Sequence, residues 1–229
     1  MKLKSLWADF VDLIFPRCCE ACDQALVGTE QVICTACRIE LPRLDTDSSL
    51  KNLLKNRLVS HHEVKEVRSY LVFTKKGKVQ NLLHALKYNN RPEVGTVLGE
   101  LFGHEMLAQQ EVPMADLIVS VPLHPRRLRQ RGYNQSDQFA AGLSRALGIP
   151  WSGSVLVRTR YTQSQTGKTK VERQENVRRI FKVNESISGQ KIILVDDVLT
   201  TGATLEACVD ALVEGGCGCI YIMTIAAAQ

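Results

Sequence analysis

Residues 191–204, KIILVDDVLTTGAT, restrict the possible folds of this chain more than any other segment. Ile192, Ile193, Leu194 and Val195 form an apolar run with the length and β-branched character of a strand buried on both faces. Two carboxylates, Asp196 and Asp197, come at its carboxyl end. A run of small and hydroxyl residues then opens a helix expected over 205–214, which Gly215 and Gly216 stop. The first turn of such a helix offers unpaired backbone N–H groups and a partial positive charge, which favour a phosphate. Gly202 lets the backbone curl around the anion, and Thr200, Thr201 and Thr204 can donate hydroxyl hydrogen bonds. Carboxylates repel phosphate, so Asp196 and Asp197 need other partners. Vicinal sugar hydroxyls, or a Mg²⁺ held by the pair, fit that need.

The remaining pattern supplies a sheet for this strand. Further strands are expected at 68–74, 117–121, 155–157 and 219–226, with helices at 79–87, 93–110 and 135–147, the last stopped by Gly148. Buried strands separated by helices predict an α/β fold, a mostly parallel sheet with helices on both faces. Ligands of such sheets bind at the carboxyl ends of the strands. A chain of 229 residues, 45% hydrophobic and 23% charged, suits one such domain plus a small module. No run approaches the roughly 18 apolar residues of a membrane span, so no membrane insertion is expected. At the start, Leu3, Leu6, Trp7, Phe10, Leu13 and Ile14 recur at helical spacing, while Asp9 and Asp12 break any signal-peptide core. This reads as an amphipathic helix packed on its own domain, in a cytoplasmic protein.

Five of the eight cysteines crowd into residues 18–37. Without an export signal a reduced compartment is the default, and clustered cysteines there are metal ligands before they are disulfides. Cys19 and Cys22, then Cys34 and Cys37, make two knuckles whose thiolates can converge on one tetrahedral Zn²⁺. Cys18 is the alternative to Cys19, which is the expected ligand. Four thiolates close the coordination sphere, so the zinc would be structural. Cys208, Cys217 and Cys219 read as small core residues. The expected organisation is a zinc-finger-like module over 1–44, a connector over 45–65 and an α/β domain over 66–229.

Charge is uneven. Residues 124–182 hold 13 Lys and Arg against 3 Asp and Glu, whereas 183–229 hold one Lys against six acids. A basic segment facing an acidic one suits a polyanion carried with a divalent metal. The basic segment begins VPLHPRRLRQRGYNQ at 121–135, with four arginines within six residues, and continues as QSQTGKTKVERQENVRRIF at 163–181. Arginine's planar fork matches a pyrophosphate better than lysine's point charge does. Asn134 reads as a helix cap or backbone tie. Exposed Tyr133 and Tyr161 could stack on bases, so the same surface could also serve nucleic acid.

The strand followed by two acids and x-x-T-T-G-x-T resembles the signature of the type I phosphoribosyltransferases. By that resemblance Asp196, Asp197, Val198, Leu199, Thr200, Thr201, Gly202, Ala203 and Thr204 form the binding loop for phosphoribosyl pyrophosphate (PRPP). The aspartates face its ribose hydroxyls, the threonines wrap its 5′-phosphate, and Mg²⁺ accompanies it. The basic motifs, after an N-terminal pair of CxxC knuckles, look like those of the ComF family. That family is phosphoribosyltransferase-like and linked with DNA uptake in natural transformation. The resemblance implies Arg126, Arg127 and Arg131 on the pyrophosphate, and a closing segment that carries Gly167, Lys168, Lys170 and Arg173. Asp196, Asp197 and Arg173 would stand at any reaction. Implied partners are PRPP, single-stranded DNA and a competence helicase.

Two functions follow as expectations. One is PRPP binding in the service of DNA uptake. The other is transfer of phosphoribose to an amine or base with release of pyrophosphate, helped by Mg²⁺ and arginines that stabilise the leaving group. An acceptor pocket would have to come from residues 45–115, where His84, Lys87 and Tyr88 are candidates.

Overall fold

The computed structural model describes residues 16–44, 61–159 and 180–228. The expected helix over 1–14, the connector as far as residue 60, Tyr161, and the segment bearing Gly167, Lys168, Lys170 and Arg173 lie outside them. The described elements run α1 (Thr35–Glu40), β1 (Val64–Phe73), α2 (Lys78–Tyr88), α3 (Glu93–Gln109), β2 (Leu117–Ser120), α4 (Pro125–Arg131) and α5 (Gln135–Leu147). They continue as β3 (Trp151–Ser152), β4 (Leu156–Arg158), β5 (Phe181–Val183), β6 (Lys191–Leu199), α6 (Ala203–Glu214) and β7 (Cys219–Ala228).

Five strands form one sheet in the order β1-β7-β6-β2-β3, and every neighbouring pair in it is parallel. Alternation along β6 explains why its run is apolar throughout. Ile193 and Val195 face a core with Leu82, Leu86, Leu98 and Phe139 from α2, α3 and α5. Ile192 and Leu194 face a second core with Leu205, Cys208 and Leu212 of α6. Both faces are therefore covered, as a parallel sheet requires.

The basic stretch after β2, to which no element is assigned from the sequence, forms the short helix α4. His124 caps it, its Nδ1 accepting from the Arg126 N–H at 3.1 Å, and Pro125 starts it with a preset φ. Gly132 ends it at φ 78°. The strand expected at 155–157 forms one residue later, and it pairs antiparallel with β5 in a separate ribbon. The carboxyl-end strand β6 also continues through both aspartates to Leu199.

Helices α3 and α5 touch backbone to backbone. A Cβ on Gly99 would lie 2.4 Å from the Phe139 carbonyl oxygen, and one on Gly142 would lie 2.1 Å from that of Thr96. This close approach fixes α5, whose first turn reaches the end of β6.

The cysteine-bearing residues share the first core. Ile33, Cys37 and Leu41 are buried against the same cluster as α2 and α3. Asn81 of α2 donates to the Ala21 carbonyl inside the first knuckle at 2.9 Å, and Lys78 pairs with Glu40 of α1.

Candidate functional site

In strand order the chain leaves β2 toward β3 on one side and returns through β6 on the other. The carboxyl ends of β2 and β6 thus flank the point where open α/β sheets place their ligands. A cleft of about 1190 Å³ opens there, somewhat larger than typical small-molecule sites of about 300–1,000 Å³.

Its floor is acidic. Asp196 and Asp197 line it, both half-buried at the end of β6. Asp196 Oδ1 accepts from Ser136 Oγ at 2.9 Å and from the Asp197 N–H at 2.9 Å. Burial first, and then the charge of Asp197, push the Asp196 carboxyl up to about 7 despite those donors and the Lys87 ammonium. Asp197 Oδ2 lies 2.9 Å from Lys87 Nζ.

Ser136 is in place because Asn134 holds the start of α5. The Asn134 Oδ1 caps the helix, accepting from the Ser136 N–H at 3.3 Å. Its Nδ2 donates to the Val121 carbonyl at 3.0 Å and to Asp137 Oδ1 at 2.7 Å. Of the two roles expected as alternatives for Asn134, cap or backbone tie, the residue performs both.

The loop expected to hold a phosphate, residues 198–204, enters the cleft in part. Val198, Thr200 and Thr204 line it with the two aspartates, while Leu199 is buried in the second core. Thr201 and Ala203 are exposed beside it, and Gly202, at φ 85°, turns the chain into α6. That left-handed conformation is the one that glycine adopts without cost.

The opposite wall is basic. Arg126, Arg127 and Arg131 line the cleft, as do Arg129, His124 and Gln130. Arg131 Nη1 donates to Gln135 Oε1 at 2.7 Å, and its guanidinium lies 5.3 Å from the centre of the Tyr88 ring. The three arginines expected on a pyrophosphate therefore share one cleft with the loop and the acidic pair; Arg173 lies outside the described residues.

Arg158 and Ser136 were not expected at the site. Arg158 reaches the cleft from β4 with its guanidinium 5.3 Å from the Phe181 ring centre, and burial lowers its pKa. No local pattern could have found it, because its place depends on how β4 and β5 pair. Among the acceptor candidates, Lys87 and Tyr88 line this cleft, whereas His84 lines a different groove beside Cys18 and Cys19. Tyr133, expected to be exposed, is corrected: it lines the cleft but is half-buried, and its hydroxyl donates to the Leu86 carbonyl at 2.5 Å.

The second group is the cysteine cluster. The sulfurs of Cys19, Cys22, Cys34 and Cys37 all lie within 4.8 Å of one another, and those of Cys22 and Cys34 are 3.8 Å apart. A tetrahedron with metal–sulfur bonds of about 2.3 Å has edges of about 3.8 Å, so these residues fit a thiolate-bound metal such as zinc. Burial raises the Cys19 thiol, but N–H donors from Cys34, Ala21 and Cys22 outweigh it and hold it at about 7. Cys18 stands apart, its thiol turned to the Pro16 carbonyl. Among the described residues no helix is long and apolar enough to cross a membrane.

Comparison with known proteins gives a consistent picture. A family model, the phosphoribosyl transferase domain, matches residues 134–229. The chain is 34% identical over 144 residues to DNA utilization protein YhgH of Escherichia coli, covering 62% of this chain and 63% of that protein. It is 30% identical over 131 residues to competence protein F of Haemophilus influenzae, 55% of this chain and 57% of that one. With competence protein ComFC of Bacillus subtilis the identity is 36% over 100 residues, 44% of this chain and 39% of that one. The chain thus spans less than two thirds of the length of each of these relatives.

Proposed function

Because this chain is a ComF-family, type I phosphoribosyltransferase-like protein, we propose that it binds PRPP in the cleft between β2 and β6 and serves DNA uptake in natural transformation. One observation carries the binding half of this reading. A hydroxyl-bearing loop at the start of α6, two carboxylates and an arginine wall converge on a single cleft. PRPP presents a 5′-phosphate, a vicinal diol and a pyrophosphate, one for each. Asp196 and Asp197 hydrogen-bond the diol, Thr200 to Thr204 hold the 5′-phosphate, and Arg126, Arg127 and Arg131 take the pyrophosphate, joined by Arg158. Among the described residues, Lys87, Arg126, Arg127, Arg129, Arg131 and Arg158 line the cleft against the two aspartates, a surplus of positive charge that suits a polyanion.

Mg²⁺ fits this donor set. It is held by one or two carboxylates together with substrate phosphates, and both are available here. When bound it would neutralise pyrophosphate charge, while the chain's own residues position the sugar. The role in DNA uptake rests on the names of the relatives and on the basic wall.

Isothermal calorimetry tests the binding. PRPP with Mg²⁺ should give saturable heat, and the paired change Asp196→Asn with Asp197→Asn should weaken affinity about 100-fold. That is the loss of two hydrogen bonds to charged groups, roughly 1.5 kcal/mol or more each. Equal affinity in the variant would reject the assignment.

A further inference from the structure

Part of the acidic floor is already engaged. Lys87 Nζ is 2.9 Å from Asp197 Oδ2, and both side chains are largely enclosed, 22% and 18% exposed. The ammonium occupies a carboxylate that a sugar diol must reach. Lys87 comes from the last turn of α2, which is fixed from several sides. Leu82, Leu83 and Leu86 are buried, the Leu86 carbonyl accepts from Tyr133, and Asn81 ties the helix to the first knuckle. The backbone of Lys87 is held, while its four-carbon stem leaves the charge free to swing. Its neighbour Tyr88 carries the Arg131 guanidinium against its ring. Lys87 therefore stands at the border between the acidic floor and the basic wall.

We propose that Lys87 is a specificity-determining residue of this cleft, its ammonium occupying Asp197 until a sugar diol displaces it and then passing to the anion carried at the sugar's C1. The inference rests on the PRPP reading above and names a residue for it. Displacement breaks a partly desolvated ion pair, which is costly unless the released charge finds a new partner. Ribose 5-phosphate brings the diol and the 5′-phosphate but no anion at C1, so it bears that cost uncompensated. PRPP brings the pyrophosphate and recovers it. Specificity is this difference between two affinities, and the ion pair acts against the ligand that lacks the second anion.

Affinities of PRPP and of ribose 5-phosphate, both with Mg²⁺, should be measured by calorimetry for the full chain and for Lys87→Met, Lys87→Gln and Lys87→Arg. The wild type should prefer PRPP. Lys87→Met and Lys87→Gln should lower that preference about tenfold or more, because PRPP binds more weakly while ribose 5-phosphate binds as well or better. Lys87→Arg should restore most of it. Melting midpoints near the wild-type value certify that the variants are folded. A preference within twofold of wild type in folded Lys87→Met, or an equal loss for both ligands, would overturn the role of Lys87 and leave the cleft assignment intact. Absence of binding of either ligand to the wild type would sink the PRPP reading itself.

Discussion

Asp196 and Asp197 are neighbours in sequence but their surroundings oppose each other. Asp197 has a cation at 2.9 Å, whereas Asp196 meets a hydroxyl, a backbone N–H and the charge of its neighbour. The result is a carboxyl at about 7. An unfolded aspartate titrates near 3.9, so the folded state holds this proton more tightly, and stability is lost as pH rises from about 4 to about 7. Asp196→Asn removes the group that ionises. Its melting midpoint should match wild type at pH 4, rise above it between pH 4 and 7, and keep a constant lead at higher pH. The upper bound on that lead is about 4 kcal/mol. A lead that does not change with pH would contradict this account of Asp196. The sequence disclosed the pair and what it could read. It did not disclose the division between them, since Ser136 and Lys87 reach the pair only through the packing of α5 and α2.

At the scale of elements, the cysteine knuckles and α2 form one unit. The spacing of Cys19, Cys22, Cys34 and Cys37 was legible because two CxxC turns separated by a short span are the pattern of a four-thiolate metal site. Cys19 was expected over Cys18, and the structure agrees: the Cys34 N–H points at the Cys19 sulfur at 3.3 Å, while the Cys18 thiol turns to the Pro16 carbonyl. We propose that the metal is a structural zinc. The purified chain should then carry about one zinc per molecule. Cys19→Ser should lose it and melt on the order of 10 °C lower, the shift that roughly 3 kcal/mol produces in a chain of this size. Cys18→Ser should change neither. Folded wild-type protein free of metal would refute the assignment. Helix α4 shows the opposite lesson. Its cap, Pro125 and Gly132 are all present in the sequence, yet the stretch is read there only for its charge and no helix is assigned to it.

On the scale of the whole molecule, periodicity revealed the α/β class because buried strands and amphipathic helices alternate along the chain. Strand order was not legible. β1 lies beside β7, joining Val64–Phe73 to Cys219–Ala228, the two most distant strands in sequence. That order places β2 next to β6, and so turns two separate motifs, the arginines after β2 and the threonine loop after β6, into facing walls. Among the described residues, part of the charge contrast in the sequence becomes a basic wall of Arg126, Arg127, Arg129, Arg131 and Arg158 above an acidic floor of Asp196 and Asp197. The central claim is that the amides and hydroxyls opening α6 hold the phosphate of a phosphorylated pentose while Asp196 and Asp197 bind its diol. A crystal structure of the chain grown with PRPP and Mg²⁺ tests it most directly. The account predicts the 5′-phosphate within hydrogen-bonding distance of residues 200–204 and both ribose hydroxyls on the aspartates. The sugar phosphate bound elsewhere, or this cleft empty at saturating ligand, would contradict it.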